Sequence, residues 1–221
     1  ASQNGKKLIS IGFTNEIQNS LSPYSEKSYS FGVGEPGKIL DMLKKNDVEE
    51  LLILGKVDKS TIYKLQIPDL MFIKFLKNII THEDKVLLLG VINELEKEGV
   101  RVLSQKDFLE EIYPSKGILT RRKPSPKEVE DIEFGLPIAR KLADMEIGQT
   151  LIVKNKTVIA VEAFEGTDKA ITRGCELAKD NCVVIKVSRT NQDYRYDSPG
   201  IGPKTIKTLI AGGASVLALE A

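Results

Sequence analysis

The chain has 221 residues, enough for two modest domains or one large one. Hydrophobic residues make up 41% and charged residues 29%, which is typical of a soluble globular protein. The 32 Lys and Arg residues nearly balance the 31 Asp and Glu residues, so the net charge of +1 gives no basic excess of the kind that marks nucleic-acid-binding proteins. No run approaches the roughly 18 apolar residues that span a bilayer, and we expect no signal peptide.

The first half of the chain alternates strand and helix patterns. Strand, helix, strand in this order favours a parallel sheet with helices on its faces, so we expect a Rossmann-like N-terminal domain. The predicted elements are, in order, a β-rich run at 7–13, a helix after the Gly-Glu-Pro-Gly loop at 34–37, a buried strand at 48–57, an apolar helix at 69–80, and a helix at 81–98 that Gly99 ends before a further strand.

A change of composition separates the two halves. Residues 115–131 combine Gly, two Pro and several Lys and Arg, and a helix start stands at Ser125-Pro126. We read this segment as a linker and place an N-terminal domain at 1–119 and a C-terminal mixed α/β domain at 120–221. The helical pattern at 128–145 contains Gly135 and Pro137, which predicts a kink or two helices.

The second half changes to a strand period. Two strand-like runs surround Asn155-Lys156, which predicts a hairpin because Asn tolerates a positive φ. The elements predicted after it are a helix at 167–179, a strand at 182–187, a long polar loop at 188–202, a helix at 203–211 and a final strand.

Three acids crowd the corner where the hairpin gives way to the next helix: Glu162, Glu165 and Asp168. Thr167 is a suitable N-cap, and acids in a first helical turn are favourable, so helix capping explains Asp168 and Glu165. Capping does not explain Glu162, which lies in an apolar strand, where a carboxylate needs a partner, a metal or water. A helix N-terminus also binds phosphate, and a divalent cation would let acids and phosphate share one site. Both interpretations stay open.

The loop at 188–202 is a second candidate, with two Arg, two Asp and two Tyr before a Pro-Gly-Ile-Gly-Pro run. Long loops are often functional, and Gly200 and Gly202 would let the backbone approach a ligand closely. Asp197 precedes these glycines. Lys204 falls in the first turn of the next helix, where a cation is disfavoured unless an anion shares the site. A solvated turn is the alternative.

A third candidate lies in the first half, where Gly34, Gly37 and Lys38 precede a helix and resemble an anion-binding loop. The spacing matches neither the P-loop nor the Gly-x-Gly-x-x-Gly fingerprint, which argues against an NAD-dependent oxidoreductase and leaves a plain turn as the alternative. Lys56 stands at the end of a predicted strand, where open α/β sheets bind ligands.

Several motifs, in their order along the chain, resemble those of the LpxI family of UDP-2,3-diacylglucosamine pyrophosphatases of the lipid A pathway. The resemblance covers nearly the whole chain, although the family's first strand and C-terminal end have no counterpart in it. It implies two α/β domains with a substrate cleft between them, and hydrolysis of the substrate to UMP and 2,3-diacylglucosamine 1-phosphate with Mg²⁺ or Mn²⁺. The motifs are VGEPGKI, GKV, ELEKEG, RRKPSPKEVEDIEFGLPIARKLADMEIGQTLIV, AVEAFEGTD and YDSPGIGPKTI.

The resemblance also implies roles for individual residues. The aspartate of the family's D-x-P-x-I-G motif, which is needed for activity, falls on Asp197, and the acids Glu162, Glu165 and Asp168 would bind the metal. The substrate contacts would be Gly34, Gly37, Lys38, Lys56, Gly166, Thr167, Gly202 and Thr205. We further expect a cytoplasmic protein in transient contact with the inner membrane, no nucleic-acid partner, and a homodimer as one option. The alternative is a non-enzymatic nucleotide-sugar or lipid-binding regulatory protein on the same fold.

Overall fold

The computed structural model describes residues 7–55, 84–109, 111 and 113–220. The chain divides into two compact units, residues 1–103 and 104–221. Each unit combines helices with strands, so the predicted α/β class is confirmed. The domain limits 1–119 and 120–221 stay a prediction. In the described part of the chain, no helix combines the length and apolar character needed to cross a bilayer.

In the described part of the first unit, the strands form two short parallel pairs. β1 (Ile9–Gly12) pairs with β2 (Lys27–Ser30), and β3 (Glu50–Leu51) pairs with β4 (Arg101–Val102). Parallel pairing requires a crossover between the strands, in agreement with the predicted strand–helix–strand order. The α-helices among the described residues of this unit are α1 (Asn15–Leu21), α2 (Pro36–Lys45) and α3 (Asp84–Lys97).

The buried strand predicted at 48–57 is wrong in its length. Strand pairing covers only Glu50 and Leu51, and residues 52–55 form no strand. The partner strand explains the difference, because β4 is equally short and the chain turns into a 3-10 helix at Gln105–Asp107 soon after it. A strand extends only as far as a neighbour can pair with it. The helix predicted at 69–80 lies outside the described residues.

The second unit contains a four-stranded sheet in the order β6-β5-β7-β8. β5 (Thr150–Lys154) is antiparallel to both β6 (Thr157–Val161) and β7 (Val183–Lys186), whereas β7 runs parallel to β8 (Val216–Leu219). The strands β6, β7 and β8 therefore end at the same edge, called the carboxyl edge below. The helices of this unit are α4 (Pro126–Asp144), α5 (Thr167–Ala178) and α6 (Pro203–Ala211).

Helices cover both faces of this sheet. α4 packs against Leu151, Val153 and Ile185, whereas α5 and α6 pack against Ile152 and Val184 on the opposite face. Because successive strand residues point to opposite faces, the apolar runs of β5 and β7 are buried on both sides. The polar ends of the strands are thereby left at the edges of the sheet.

α4 is one unbroken helix with Pro137 inside it, so the predicted alternative of two helices is excluded. The helix begins with a capping box between Ser125 and Glu128, which satisfies free backbone groups of the first turn. A Cβ on Gly135 would lie 2.4 Å from Ile185 Cδ1, so the glycine is where the helix approaches the sheet most closely. Packing on the sheet holds the helix together across the proline.

The predicted hairpin between β5 and β6 is confirmed. Asn155 and Lys156 both have positive φ, at 50° and 55°, as a two-residue type I′ turn requires. The buried carboxylate of Asp131 on α4 accepts the backbone N–H groups of Asn155 at 2.9 Å and Lys156 at 2.6 Å. The turn is therefore fixed to the helix as well as to its own strands.

Glu128 gives a pH-dependent contribution to stability that can be measured. The bond from Arg122, opposed by burial and aided by Ser125, lowers the pKa of Glu128 from 4.5 to about 2. A carboxyl whose pKa is lowered by folding stabilises the fold above its unfolded pKa, and this contribution is lost as the pH falls toward the folded pKa. Glu128→Gln keeps a side chain that can complete the capping box.

We expect Glu128→Gln to lower the free energy of unfolding by about 1–2 kcal/mol at neutral pH, after allowance for the exposure of Arg122. The difference from the wild type should shrink as the pH falls from about 5 to about 2. Urea unfolding at several pH values measures it. A difference that stays constant over this range would show that the charge of Glu128 is not its source.

Candidate functional site

Polar side chains gather at the carboxyl edge of the sheet in the second unit. Glu162 follows β6, Lys186 ends β7, and the loop at 188–202 leaves from the same edge. α5 follows β6 and α6 follows this loop, so both helices begin near the edge as well. Open α/β sheets bind ligands at the carboxyl ends of their strands. This edge is therefore the candidate site.

Asp197 is held in one orientation by two neighbours from its own loop. Its Oδ2 accepts a hydrogen bond from Arg189 at 2.9 Å and another from the amide of Gln192 at 2.8 Å. Arg189 also pairs with Glu146 at 2.7 Å. Burial opposes the charged form of Arg189, but its bond to Asp197 and the charge of Glu146 hold its pKa above the ordinary value. Among the described residues, Oδ1 of Asp197 has no hydrogen-bond partner.

Glu162 and Lys186 are joined through a hydroxyl. The ammonium of Lys186 donates to Thr167 Oγ1 at 3.0 Å, and this hydroxyl donates to Glu162 Oε1 at 2.8 Å. Glu162 Oε2 is buried and has no hydrogen-bond partner within the described ranges. Burial lowers the pKa of Lys186, although the charges of Glu162, Asp197 and Asp168 oppose this shift. A buried carboxylate oxygen without a donor is suited to a cation or a polar ligand.

The predicted N-cap role of Thr167 is wrong. The N-cap of α5 is Gly166, whose φ of 82° is in the left-handed region, and it forms no side-chain cap. Thr167 is instead the first helical residue, and its hydroxyl bonds to Glu162. The hydroxyl donates to the carboxylate of Glu162 because a charged acceptor forms a stronger hydrogen bond than a neutral one.

Asp168 connects the starts of α5 and α6. Its Oδ1 accepts from Thr205 at 2.9 Å, and its Oδ2 lies 3.2 Å from the ammonium of Lys204. Burial raises the pKa of Asp168, but the bonds from Thr205 and Lys204 outweigh it and keep the pKa below its ordinary value. The anion that accompanies Lys204 is therefore Asp168. Gly202, the N-cap of α6, forms no side-chain cap either.

Glu165 differs from the two other acids of the corner. It accepts a hydrogen bond from Arg173 at 2.5 Å and another from the backbone of Ala163 at 3.2 Å. The bond from Arg173 is the main reason that the pKa of Glu165 is lowered. The part of the chain that the structure describes contains no group of three His, Cys, Asp or Glu side chains arranged to hold a metal. Of the three predicted ligands, Glu162 is the one with a buried carboxylate oxygen that has no hydrogen-bond partner among the described residues.

Sequence reasoning missed Lys186, Arg189 and Gln192. Lys186 interrupts the apolar run 182–187, which is the same kind of signal that singled out Glu162. The partners of Asp197 have no such signal, because their role depends on how the loop folds. Arg189 and Glu162 line a pocket of about 180 Å³, together with Ala143, Glu146, Ile147, Gly148 and Gln149.

The predicted contacts of the first unit lie at the start of α2. Lys38 pairs with Glu35 at 2.5 Å, and the second oxygen of Glu35 accepts from the backbone of Gly32 at 2.8 Å. The bond from Lys38 is the main cause of the lowered pKa of Glu35. The loop that carries Gly34 and Gly37 thus already holds an anionic group of its own, which a ligand would have to displace. Lys56 lies outside the described residues.

Fold and site together define a two-unit α/β protein with an acidic and basic site at the carboxyl edge of its second sheet. The chain belongs to the LpxI family. The family model of the LpxI N-terminal domain matches residues 1–112, and that of the LpxI C-terminal domain matches residues 115–221. A relative from Caulobacter vibrioides, "UDP-2,3-diacylglucosamine pyrophosphatase LpxI", is 31% identical over 201 residues, which cover 86% of this chain and 71% of the relative. The resemblance inferred from the motifs is confirmed.

Proposed function

We propose that this chain hydrolyses the pyrophosphate of UDP-2,3-diacylglucosamine to UMP and 2,3-diacylglucosamine 1-phosphate, a step of lipid A biosynthesis. Membership of the LpxI family and the name of the Caulobacter relative support the substrate. The structural observation that carries the proposal is Asp197, whose Oδ2 is fixed by Arg189 and Gln192 while Oδ1 stays open. A fixed carboxylate with one open oxygen is suited to orienting a water molecule.

In this reaction the oxygen of water forms a bond to one phosphorus atom, and the bond from that phosphorus to the bridging oxygen breaks. The electron pair of the broken bond leaves with the second phosphate. Oδ1 of Asp197 would hold the attacking water and take up the proton that the water loses as its oxygen bonds to phosphorus. Arg189 and Gln192 would keep the carboxylate from turning, because a positioned base loses its effect when its geometry is lost.

Negative charge on the two phosphates needs stabilisation during the reaction. The starts of α5 and α6 have no side-chain cap, so their backbone N–H groups are available to phosphate oxygens. Thr205 and the exposed ammonium of Lys204 stand at the start of α6 and already hold the carboxylate of Asp168. Phosphate oxygens would compete with Asp168 for these donors.

Mg²⁺ or Mn²⁺ is the cofactor that we propose for this site. The open Oε2 of Glu162 would be a ligand, and Asp168 a second one. When bound, such an ion would neutralise phosphate charge and polarise a phosphoryl oxygen. Glu165 would stay with Arg173.

The lipid part of the substrate implies a place of action. We propose that the protein works in the cytoplasm and touches the inner membrane transiently to reach the substrate. A homodimer is compatible with this proposal. Size-exclusion chromatography with light scattering and flotation with anionic vesicles test the two points separately.

The proposed reaction is tested by chromatographic detection of UMP after incubation with UDP-2,3-diacylglucosamine. Mg²⁺ or Mn²⁺ is added in one series and EDTA in another. Metal-dependent release of UMP is the expected result. Binding of the substrate without release of UMP would instead indicate the non-enzymatic binding protein. The absence of both would show that this compound is not a substrate or ligand of the chain.

A further inference from the structure

Lys186 is an unusual residue for its position in the sheet. The three residues before it in β7, Val183, Val184 and Ile185, are fully buried, and the ammonium emerges at the carboxyl edge among the groups of the candidate site. A lysine at the end of a buried strand must find partners for its charge or keep it in water. The role of Lys186 therefore depends on the groups that its ammonium contacts.

A second lysine of the same sheet provides a comparison. Lys154 ends β5 at the opposite edge, and its ammonium donates to Ala178 O at 2.8 Å and to Asp180 at 2.7 Å. The fold thus supplies a carbonyl and a carboxylate to Lys154. Lys186 makes a single hydrogen bond, to Thr167 Oγ1 at 3.0 Å, and has no ion pair within the ranges that the structure describes. Two of its three N–H groups therefore have no acceptor there.

The surroundings of Lys186 are charged nevertheless. Glu162, Asp168 and Asp197 all act on its charge, but each of these carboxylates uses other donors: Thr167, Thr205 with Lys204, and Arg189 with Gln192. The ammonium thus contacts the start of α5 through Thr167 Oγ1, experiences the charge of Asp197, and has two N–H groups without an acceptor among the described residues. Lys204 is less suited to a fixed contact, because its side chain is 86% exposed.

We propose that Lys186 is a catalytic residue whose ammonium contacts a phosphate oxygen of the substrate and neutralises the charge that builds up as the phosphorus–oxygen bond breaks. This inference rests on the proposed function and adds a fixed cation to it. Lys186 keeps its proton throughout, so this contact adds no proton transfer to the reaction. A donor placed where negative charge develops acts mainly on kcat.

The test compares Lys186→Met and Lys186→Arg with Lys154→Met as the matched control. Steady-state kinetics gives kcat and KM for UDP-2,3-diacylglucosamine, calorimetry gives the affinity for inorganic pyrophosphate with Mg²⁺ and with EDTA, and urea unfolding checks the fold. We expect Lys186→Met to lower kcat by about 10²–10³-fold and to weaken pyrophosphate binding by about tenfold or more. Lys186→Arg should recover part of both. Lys154→Met should lower stability and leave kcat near that of the wild type.

A folded Lys186→Met variant with the kcat of the wild type would overturn the inference, as would a loss of kcat that merely follows the loss of stability. If the wild type releases no UMP, the proposed function fails, and the binding of pyrophosphate then tests whether Lys186 contacts a phosphate. Binding by the wild type that Lys186→Met loses would support the phosphate contact without the reaction. Equal binding by both proteins, or binding by neither, would overturn it.

Discussion

Replacing Asp197 with Asn is expected to lower kcat for UMP release by about 10²–10⁴-fold, because the neutral amide cannot act as the base that orients the attacking water. The substitution preserves size, and the amide oxygen can still accept the hydrogen bond from Arg189 that now reaches Oδ2. KM should change much less than kcat, since the contact concerns the attacking water rather than the bound substrate.

Asp180→Asn is the matched control for Asp197→Asn. Asp180 is an exposed acid that pairs with Lys154 at 2.7 Å, at the edge of the sheet opposite the candidate site. This variant should keep the kcat of the wild type. Steady-state kinetics together with urea unfolding separates an effect on catalysis from an effect on folding. A folded Asp197→Asn variant with undiminished kcat would remove Asp197 from the catalytic role.

The second large effect is on the metal requirement, and it is expected to differ among the three acids of the corner because they have different hydrogen-bond partners. Glu162→Gln and Asp168→Asn should each raise the Mg²⁺ or Mn²⁺ concentration for half-maximal activity by about 10–100-fold, because each removes a negative ligand. Glu165→Gln should change this concentration little, because Glu165 bonds to Arg173 and to the backbone of Ala163. Its main effect should be on stability, through the lost ion pair.

Metal titrations of the wild type and these three variants measure the effect directly. Glu165→Gln serves as the control, since it removes an acid from the same seven-residue corner, 162–168. An equal shift in all three variants would mean that the general negative charge of the corner matters and not particular ligands. Activity that persists in EDTA would contradict the proposed metal altogether.

Parts of the fold that depend on local signals could be predicted from the sequence. The turn at Asn155-Lys156 and the start of α4 at Ser125-Pro126 were both recognisable, because positive φ and helix capping are decided by neighbouring residues. The length of β3 and the continuity of α4 across Pro137 were not. Strand length depends on how far β4 extends, and α4 is held by a sheet distant in sequence.

The candidate site shows the same division. Glu162 and Asp197 were recognisable from their own positions, one directly after the apolar run of β6 and the other before a glycine-rich turn. Their partners are set by tertiary structure: the hydroxyl of Thr167 turns to Glu162 instead of capping its helix. The partner of Glu165 is also set by tertiary structure, because its carboxylate accepts a hydrogen bond from Arg173. A sequence readily shows a charged residue next to an apolar segment, but it does not show which residue neutralises that charge in the folded protein.

³¹P NMR of UDP-2,3-diacylglucosamine with the wild type and Mg²⁺ tests most directly whether the carboxyl edge of the second unit hydrolyses a pyrophosphate. We expect the two diphosphate resonances to disappear and two monophosphate resonances, of UMP and of the sugar 1-phosphate, to grow in equal amounts. Unchanged diphosphate resonances with folded protein, or the appearance of UDP in place of UMP, would contradict this expectation.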